Sequence, residues 1–298
     1  MWLMLSMLLA GDIREFPGAK PVPHEKYVRV VSEADSPVER VYVKSKDGVY
    51  VAAALRKPKG DGPFPVLVHF HGAPGGRGME QLVGWARGDH GSPVFERFLQ
   101  EGYVIVIADY RAVNFSTLAD PPPPEAVTYA DDAVAVIEHV RKLPYVDGER
   151  IHVYGVSLGG DVTMQLLART PVRAAILGAG APIRFLGVRP SPNAPREDRF
   201  RDMTVDEARA TANVAKITTP VLILVGTADS LLPVNRLLHD RLDAAGKKVR
   251  MEIYGGGYHD FVMGPQGQNR PDLKGGEQLL DITLQALESA LAFVKSPQ

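Results

Sequence analysis

The chain has 298 residues, 45% hydrophobic and 23% charged, the profile of an ordinary folded protein rather than a disordered or fibrous one. Its 34 basic residues face 35 acidic ones, a net charge of −1 that argues against nucleic acid as a partner, since nucleic-acid binders carry basic patches. Cysteine is absent, which removes disulfides, cysteine-ligated zinc, iron–sulfur clusters and a cysteine nucleophile together. No apolar run reaches the roughly 18 residues of a membrane-crossing helix, so no integral membrane association is expected. Covalent catalysis would fall to Ser, Thr, Lys, Asp, Glu, His or Tyr.

The chain opens with MWLMLSMLLA, a stretch with the length of a secretory core and small residues after it. A basic leader is missing, and Leu8 fits poorly at a cleavage site. The balance tips toward export, periplasmic or extracellular, over a cytoplasmic protein. On this reading 1–26 is an N-terminal segment and 27–298 a catalytic domain. Next come two β-rich runs, 38–44 and 49–56, separated by the hairpin signal Lys46-Asp47-Gly48. FPVLVHF at 64–70 is an almost continuous apolar run, as a strand buried on both faces should be. The pattern returns at 103–108, 151–154, 174–177, 220–225 and 249–254. Helical periodicity fills 93–101, 125–143, 158–168, 234–245 and 276–294. A hairpin followed by β-α alternation predicts an α/β fold, three layers deep, whose mostly parallel sheet has about eight strands.

One stretch breaks the rhythm. Residues 181–216 are rich in Pro and Arg and hold a short helix that Thr204-Val205-Asp206-Glu207 opens with a capping-box pattern. An insertion of that length at the carboxyl end of a sheet reads as a small cap. Asp120 to Pro124 reads as a stiff, extended surface turn.

Gly155-Val156-Ser157-Leu158-Gly159 is a G-x-S-x-G string placed between a strand and a helix, as a nucleophile elbow requires. A serine hydroxyl needs a base, and the base needs an orienting acid. Asp229 follows the strand PVLILV, and His259 follows the last strand, so both sit where open α/β sheets bind ligands. Asp260 adjoins the histidine too closely to orient it; Asp240 and Asp243 belong to a helix face, and His139 and His152 to a helix and a strand. The glycines of His71-Gly72-Ala73-Pro74-Gly75-Gly76 expose backbone amides. The Ala73 and Leu158 N–H groups would form an oxyanion hole, with His71 fixing the loop by hydrogen bonding. A phosphate cradle there fails for want of a Walker lysine.

With these motifs in place, the chain resembles the α/β-hydrolase superfamily from about Val38 to Val294. Within it, the likeness is to prolyl-oligopeptidase catalytic domains and dienelactone-hydrolase-like esterases. It rests on Phe70-His71-Gly72-Ala73-Pro74, Asp109-Tyr110-Arg111, Leu143-Pro144-Tyr145-Val146-Asp147, the elbow, Gly226 to Asp229, and Tyr258-His259-Asp260-Phe261. The resemblance implies Ser157 as nucleophile, His259 as base and then acid, Asp229 as its orienting partner, and Ala73 and Leu158 as oxyanion donors. Two departures stand out. Leu158 occupies a position that is Tyr in many of the peptidases, and dienelactone hydrolases use a cysteine nucleophile, which this chain lacks.

The expected activity is hydrolysis of short-chain acyl or aryl carboxylic esters through an acyl-serine, with no cofactor and no metal, on a small-molecule ester. A peptidase or amidase using the same machinery is the first alternative, and a non-catalytic binding protein the second. Arg184, Arg189, Arg196, Arg199 and Arg201 place positive charge in or near the cap, which reads as a solvated surface or as recognition of acidic substrates.

Overall fold

Strand and helix alternate along the chain as their apolar periodicities require. The computed structural model describes residues 12–18, 36–89, 92–111, 129–195, 197–259, 261–264 and 276–297. The signal-like stretch, the turn at 120–124, Arg196 and Asp260 lie outside the described residues. The first half contains β1 (Asp12–Phe16), β2 (Val38–Lys44), β3 (Tyr50–Arg56), β4 (Phe64–Phe70), α1 (Met79–Arg87), α2 (Pro93–Gln100), β5 (Val104–Ala108) and α3 (Tyr129–Arg141). Then follow β6 (Val146–Val156), α4 (Leu158–Leu167), β7 (Ala174–Gly178), α5 (Ile183–Leu186), β8 (Val188–Arg189), β9 (Thr204–Val205) and α6 (Glu207–Ala215). The chain closes with β10 (Val221–Gly226), α7 (Leu232–Ala244), β11 (Val249–Tyr254) and α8 (Gly276–Lys295).

Among the described residues, nine strands form one sheet in the order β1-β11-β10-β7-β6-β4-β5-β3-β2. Only β3 pairs antiparallel, with β2 and with β5. Every residue of β5, β7 and β10 is buried, because helices cover both faces of a parallel sheet. One face packs against α1, α2 and α8 through Leu82, Phe98, Leu287 and Leu291. The other packs against α3, α4 and α7 through Val136, Val162, Leu166, Val234 and Leu238. From β4 the chain moves to β5 on one side, while β6 lies on the other. The carboxyl ends of β4 and β6 therefore flank a crevice at a topological switch point.

Two local expectations change within an architecture that holds. The mostly parallel sheet of about eight strands is as expected, with nine among the described residues, since Asp12–Phe16 pairs parallel to β11 along the edge. A helix over Met79–Arg87 occupies a stretch the periodicity left unassigned; it is short and begins and ends at glycines, Gly78 and Gly88, rather than at a polar cap. Asp206 rather than Thr204 caps α6, accepting the Arg209 amide at 3.0 Å, while Thr204–Val205 pairs with Val188–Arg189 as a two-stranded ribbon. The stretch 181–216 packs through Phe185, Leu186, Phe200 and Val214 on the side formed by α4 and α7.

Two histidines on the sheet set an acid limit. Burial drives the His69 imidazole down to about 3, helped by the charge of His71 and opposed by its bond to the Tyr154 carbonyl. Burial takes His152 to about 4 in the same way. Both take up a proton more readily in the unfolded chain, near the ordinary value of 6.5, so their contribution is full above that pH. It is lost as pH falls from there through about 4 and about 3. Asp161 runs the other way, since burial lifts its carboxyl from 3.8 to about 6, but it is one group with a smaller shift. The urea midpoint is therefore expected to fall steadily between pH 6.5 and pH 4.5, less steeply in His152→Asn. A midpoint flat across that span would contradict this.

Candidate active site

Ser157 alone makes the turn from β6 into α4, with φ 53° and ψ −118°. A non-glycine residue held there costs on the order of 1–3 kcal/mol, which the surrounding contacts must offset. The flanking glycines make the turn sterically feasible. A Cβ on Gly159 would stand 1.9 Å from the Phe70 carbonyl oxygen, and one on Gly155 would stand 2.4 Å from that of Gly159. Backbone bonds hold the serine from both sides: its N–H donates to Gly178 at 3.2 Å, and its carbonyl accepts from Ala181 at 2.9 Å.

His259 Nε2 lies 2.9 Å from Ser157 Oγ. On the far side of the ring, Nδ1 lies 3.2 and 3.1 Å from the two carboxylate oxygens of Asp229. A carboxylate only accepts, so the neutral ring carries its proton on Nδ1 and turns the Nε2 lone pair toward the serine hydroxyl. The Asp229 side chain is 1% exposed and that of His259 38%. The acid is thus screened from water while the imidazole edge can reach a ligand. The two loops meet because a Cβ on Gly226 would fall 1.9 Å from the Gly257 carbonyl oxygen, an approach only glycine allows. Ala228 then donates to that same carbonyl at 2.9 Å, and Leu231 N–H donates to Asp229 Oδ1 at 2.9 Å.

The loop after β4 lies against the elbow, where a Cβ on Gly72 would come 3.2 Å from the Ser157 Cβ. Ala73 is exposed, and Leu158 is the first residue of α4, whose N–H has no acceptor in the preceding turn of helix. His71 Nε2 reaches Asp109 Oδ1 at 3.1 Å, and Nδ1 lies 2.7 Å from the Gly72 carbonyl. Asp109 also accepts the amides of Gly76 at 2.8 Å and Gly78 at 2.9 Å, so one carboxylate organises the whole loop. Burial pushes that carboxyl up. The bonds from His71, Gly78 and Tyr110, with the His71 charge, outweigh it and hold Asp109 below the usual carboxylate range.

Of the residues weighed as competitors, His152 of β6 bonds the Val66 carbonyl of β4, and Asp240 bonds His239 on α7. His139 lies in α3 and Asp243 in α7. Asn235, unnoticed in the sequence, is fully buried on α7; its amide donates to the Gly180 carbonyl at 2.8 Å and to Leu231 at 3.0 Å. It thereby ties the loop bearing Asp229 to the segment that bonds Ser157. A lone Asn on an amphipathic helix carries no sequence signal for that role.

A profile of the Dienelactone hydrolase family matches residues 51–274, three quarters of the chain and all of the loops just described. The chain belongs to the dienelactone hydrolase family. It carries Ser157 at the elbow of that fold and has no cysteine anywhere. An uncharacterized protein of Mycobacterium tuberculosis is 26% identical over 89% of this chain and 83% of its own length. Among solved structures, a putative dienelactone hydrolase from Klebsiella pneumoniae superposes with TM-score 0.60 at 20% identity, covering 88% of this chain and 99% of that one. The hyperthermophilic esterase of Pyrobaculum calidifontis gives 0.60 at 17% identity, with 91% and 88% covered. The acylaminoacyl peptidase of Pyrococcus horikoshii gives 0.61 at 17%, covering 88% of this chain but 41% of the larger peptidase. These likenesses place the fold among the α/β hydrolases, and family membership makes the chain a hydrolase.

Proposed function

We propose that this family member is a serine hydrolase of carboxylic esters that works through an acyl-Ser157 intermediate. The observation that carries the reading is the chain of contacts from Ser157 Oγ to His259 Nε2 at 2.9 Å and from Nδ1 to Asp229 at 3.1 Å. As Oγ attacks the ester carbonyl, Nε2 takes the hydroxyl proton, and the buried Asp229 stabilises the imidazolium that forms. The carbonyl oxygen gains negative charge, which the Ala73 and Leu158 amides would meet, with Leu158 at the positive end of the α4 dipole. His259 then protonates the departing alcohol, and water repeats the sequence to release the acid. No step calls for a cofactor or metal. The stretch 181–216 serves here as a small cap beside the site, and 1–26 as a segment preceding the catalytic domain.

The likeness to the acylaminoacyl peptidase favours a second reading, in which the same groups cleave an amide. Amide cleavage needs protonation of a poorer leaving group and firm positioning of the peptide in the transition state. An insertion limited to 181–216 offers few subsites for such positioning. On p-nitrophenyl acetate to butyrate, kcat/KM is expected to exceed that on matched aminoacyl anilides by at least about 10³. Acyl chains of about twelve carbons should be poor substrates, since the insertion lacks a long apolar run to line a deep channel. Comparable rates on an anilide would overturn the ester reading in favour of the peptidase one.

A further inference from the structure

At the far end of α4 from the nucleophile, a cavity of about 360 Å³ opens between α4, α5 and α6. Gln165, Arg169, Arg184, Arg209, Asn213 and Lys216 are among the residues that line it. At about 1.5 Å per residue, the α4 wall from Gln165 onward lies roughly 12 Å or more along the helix from Ser157, while Phe185 reaches back to Asp161 in the first turn of α4 at 2.9 Å. Four of the lining side chains are cationic, in a chain whose basic and acidic residues balance almost evenly.

The charge there is only partly offset by neighbouring acids. Arg169 pairs with Asp131 at 2.8 Å, but Asp131 is shared with Lys46 at 2.6 Å, which leaves that trio positive. Arg209 stands 3.8 Å from Asp206, beyond hydrogen-bonding distance. Arg184 and Lys216 form no ion pair among the described residues. Arg184 acts by its charge on the buried Asp161, whose carboxylate is also bonded by the Phe185 amide at 2.9 Å and by Gln165 at 2.7 Å. The α6 dipole does not account for Lys216 either, since Lys247 already covers that carboxyl end through the Ala215 carbonyl at 2.9 Å; Arg184 sits in the last turn of the four-residue α5.

The cavity also has an oriented polar floor. Gln165 is held by Asp161, and the Asn213 amide donates to the Phe185 carbonyl at 2.8 Å, each keeping a second N–H free to point elsewhere. Arginine forks and amide donors around one opening suit the tetrahedral oxygens of a phosphoryl group. The volume exceeds what inorganic phosphate fills and falls in the range of small-ligand sites, with Ala168 and Phe185 as the apolar part of the wall.

We infer that this cavity is a binding site for a small phosphoryl compound, held by Arg184, Lys216 and Arg209 over the Gln165 and Asn213 amides. The inference stands whether or not Ser157 is the nucleophile.

Calorimetric titration with glucose 6-phosphate, pyrophosphate and glucose, at constant ionic strength, tests it on the wild-type chain and on Arg184→Gln/Lys216→Gln. At least one phosphoryl probe should bind one-to-one with a sub-millimolar Kd, and the double variant should weaken it by about tenfold or more, since charge-assisted bonds dominate. Tighter binding of the hexose phosphate would assign the site to phosphate monoesters, and tighter binding of pyrophosphate to inorganic polyphosphate. The exposed pair Arg40→Gln/Arg150→Gln, outside the cavity, should leave Kd within about twofold. Arg184 and Lys216 are themselves exposed, so their replacement leaves the core untouched. Should the double variant unfold, Arg184→Lys and Lys216→Met taken singly carry the same comparison. A Kd above about 10 mM for every probe, or one unchanged in the double variant, would overturn the proposal.

Discussion

Ser157→Ala is expected to lower ester turnover by about 10⁴ to 10⁶ while leaving the thermal transition almost unmoved. The substitution removes one oxygen, 2.9 Å from His259 Nε2, and nothing else that the turn depends on. Alanine keeps the Cβ that rests against Gly72, and the Gly178 and Ala181 backbone bonds do not involve the side chain. What residual rate remains would come from oxyanion donors and binding. Retention of even a tenth of wild-type kcat would place the nucleophile elsewhere.

His259→Ala should have a comparable effect on kcat, about 10⁵ or more, because without it the serine proton has no acceptor. The pH dependence separates loss of the base from loss of structure. In the wild type, activity should rise with pH as the imidazole gives up its proton, since only the neutral ring can accept the proton from Ser157. That limb should vanish from whatever activity the variant retains. A variant that keeps the same rising limb would move the base to another group, and His71, the other histidine near the elbow, is the next candidate. Its bonds to Asp109 and the Gly72 carbonyl make it a support of the loop instead.

Much of this arrangement is readable in one dimension because the physics is local. Buried parallel strands must be apolar on both faces, so PVLILV and FPVLVHF announce themselves. The elbow needs glycines beside its serine, and the acid and base must follow strands, so three short motifs mark the candidate triad. Where pairing is remote, the sequence is silent. Asp12–Phe16 is polar and mostly exposed, and only its partner Val249–Tyr254, at the other end of the chain, makes it a strand. Arg111 was visible as part of a motif, but its buried pairing with Asp132 at 2.6 Å and Asp47 at 2.5 Å joins residues 21 and 64 positions away. Asn235 links two loops from a helix whose sequence shows only amphipathic spacing.

The central claim is a covalent acyl-enzyme on Ser157, and trapping it is the most direct measurement. The chain would be treated with a fluorophosphonate, which phosphonylates an activated serine and cannot be turned over, and then analysed as intact protein and as peptides by mass spectrometry. One adduct per chain is expected, located on the elbow peptide at Ser157, formed in step with loss of esterase activity and absent from Ser157→Ala. An adduct on any other residue, or an unlabelled chain that still hydrolyses p-nitrophenyl butyrate, would contradict the account.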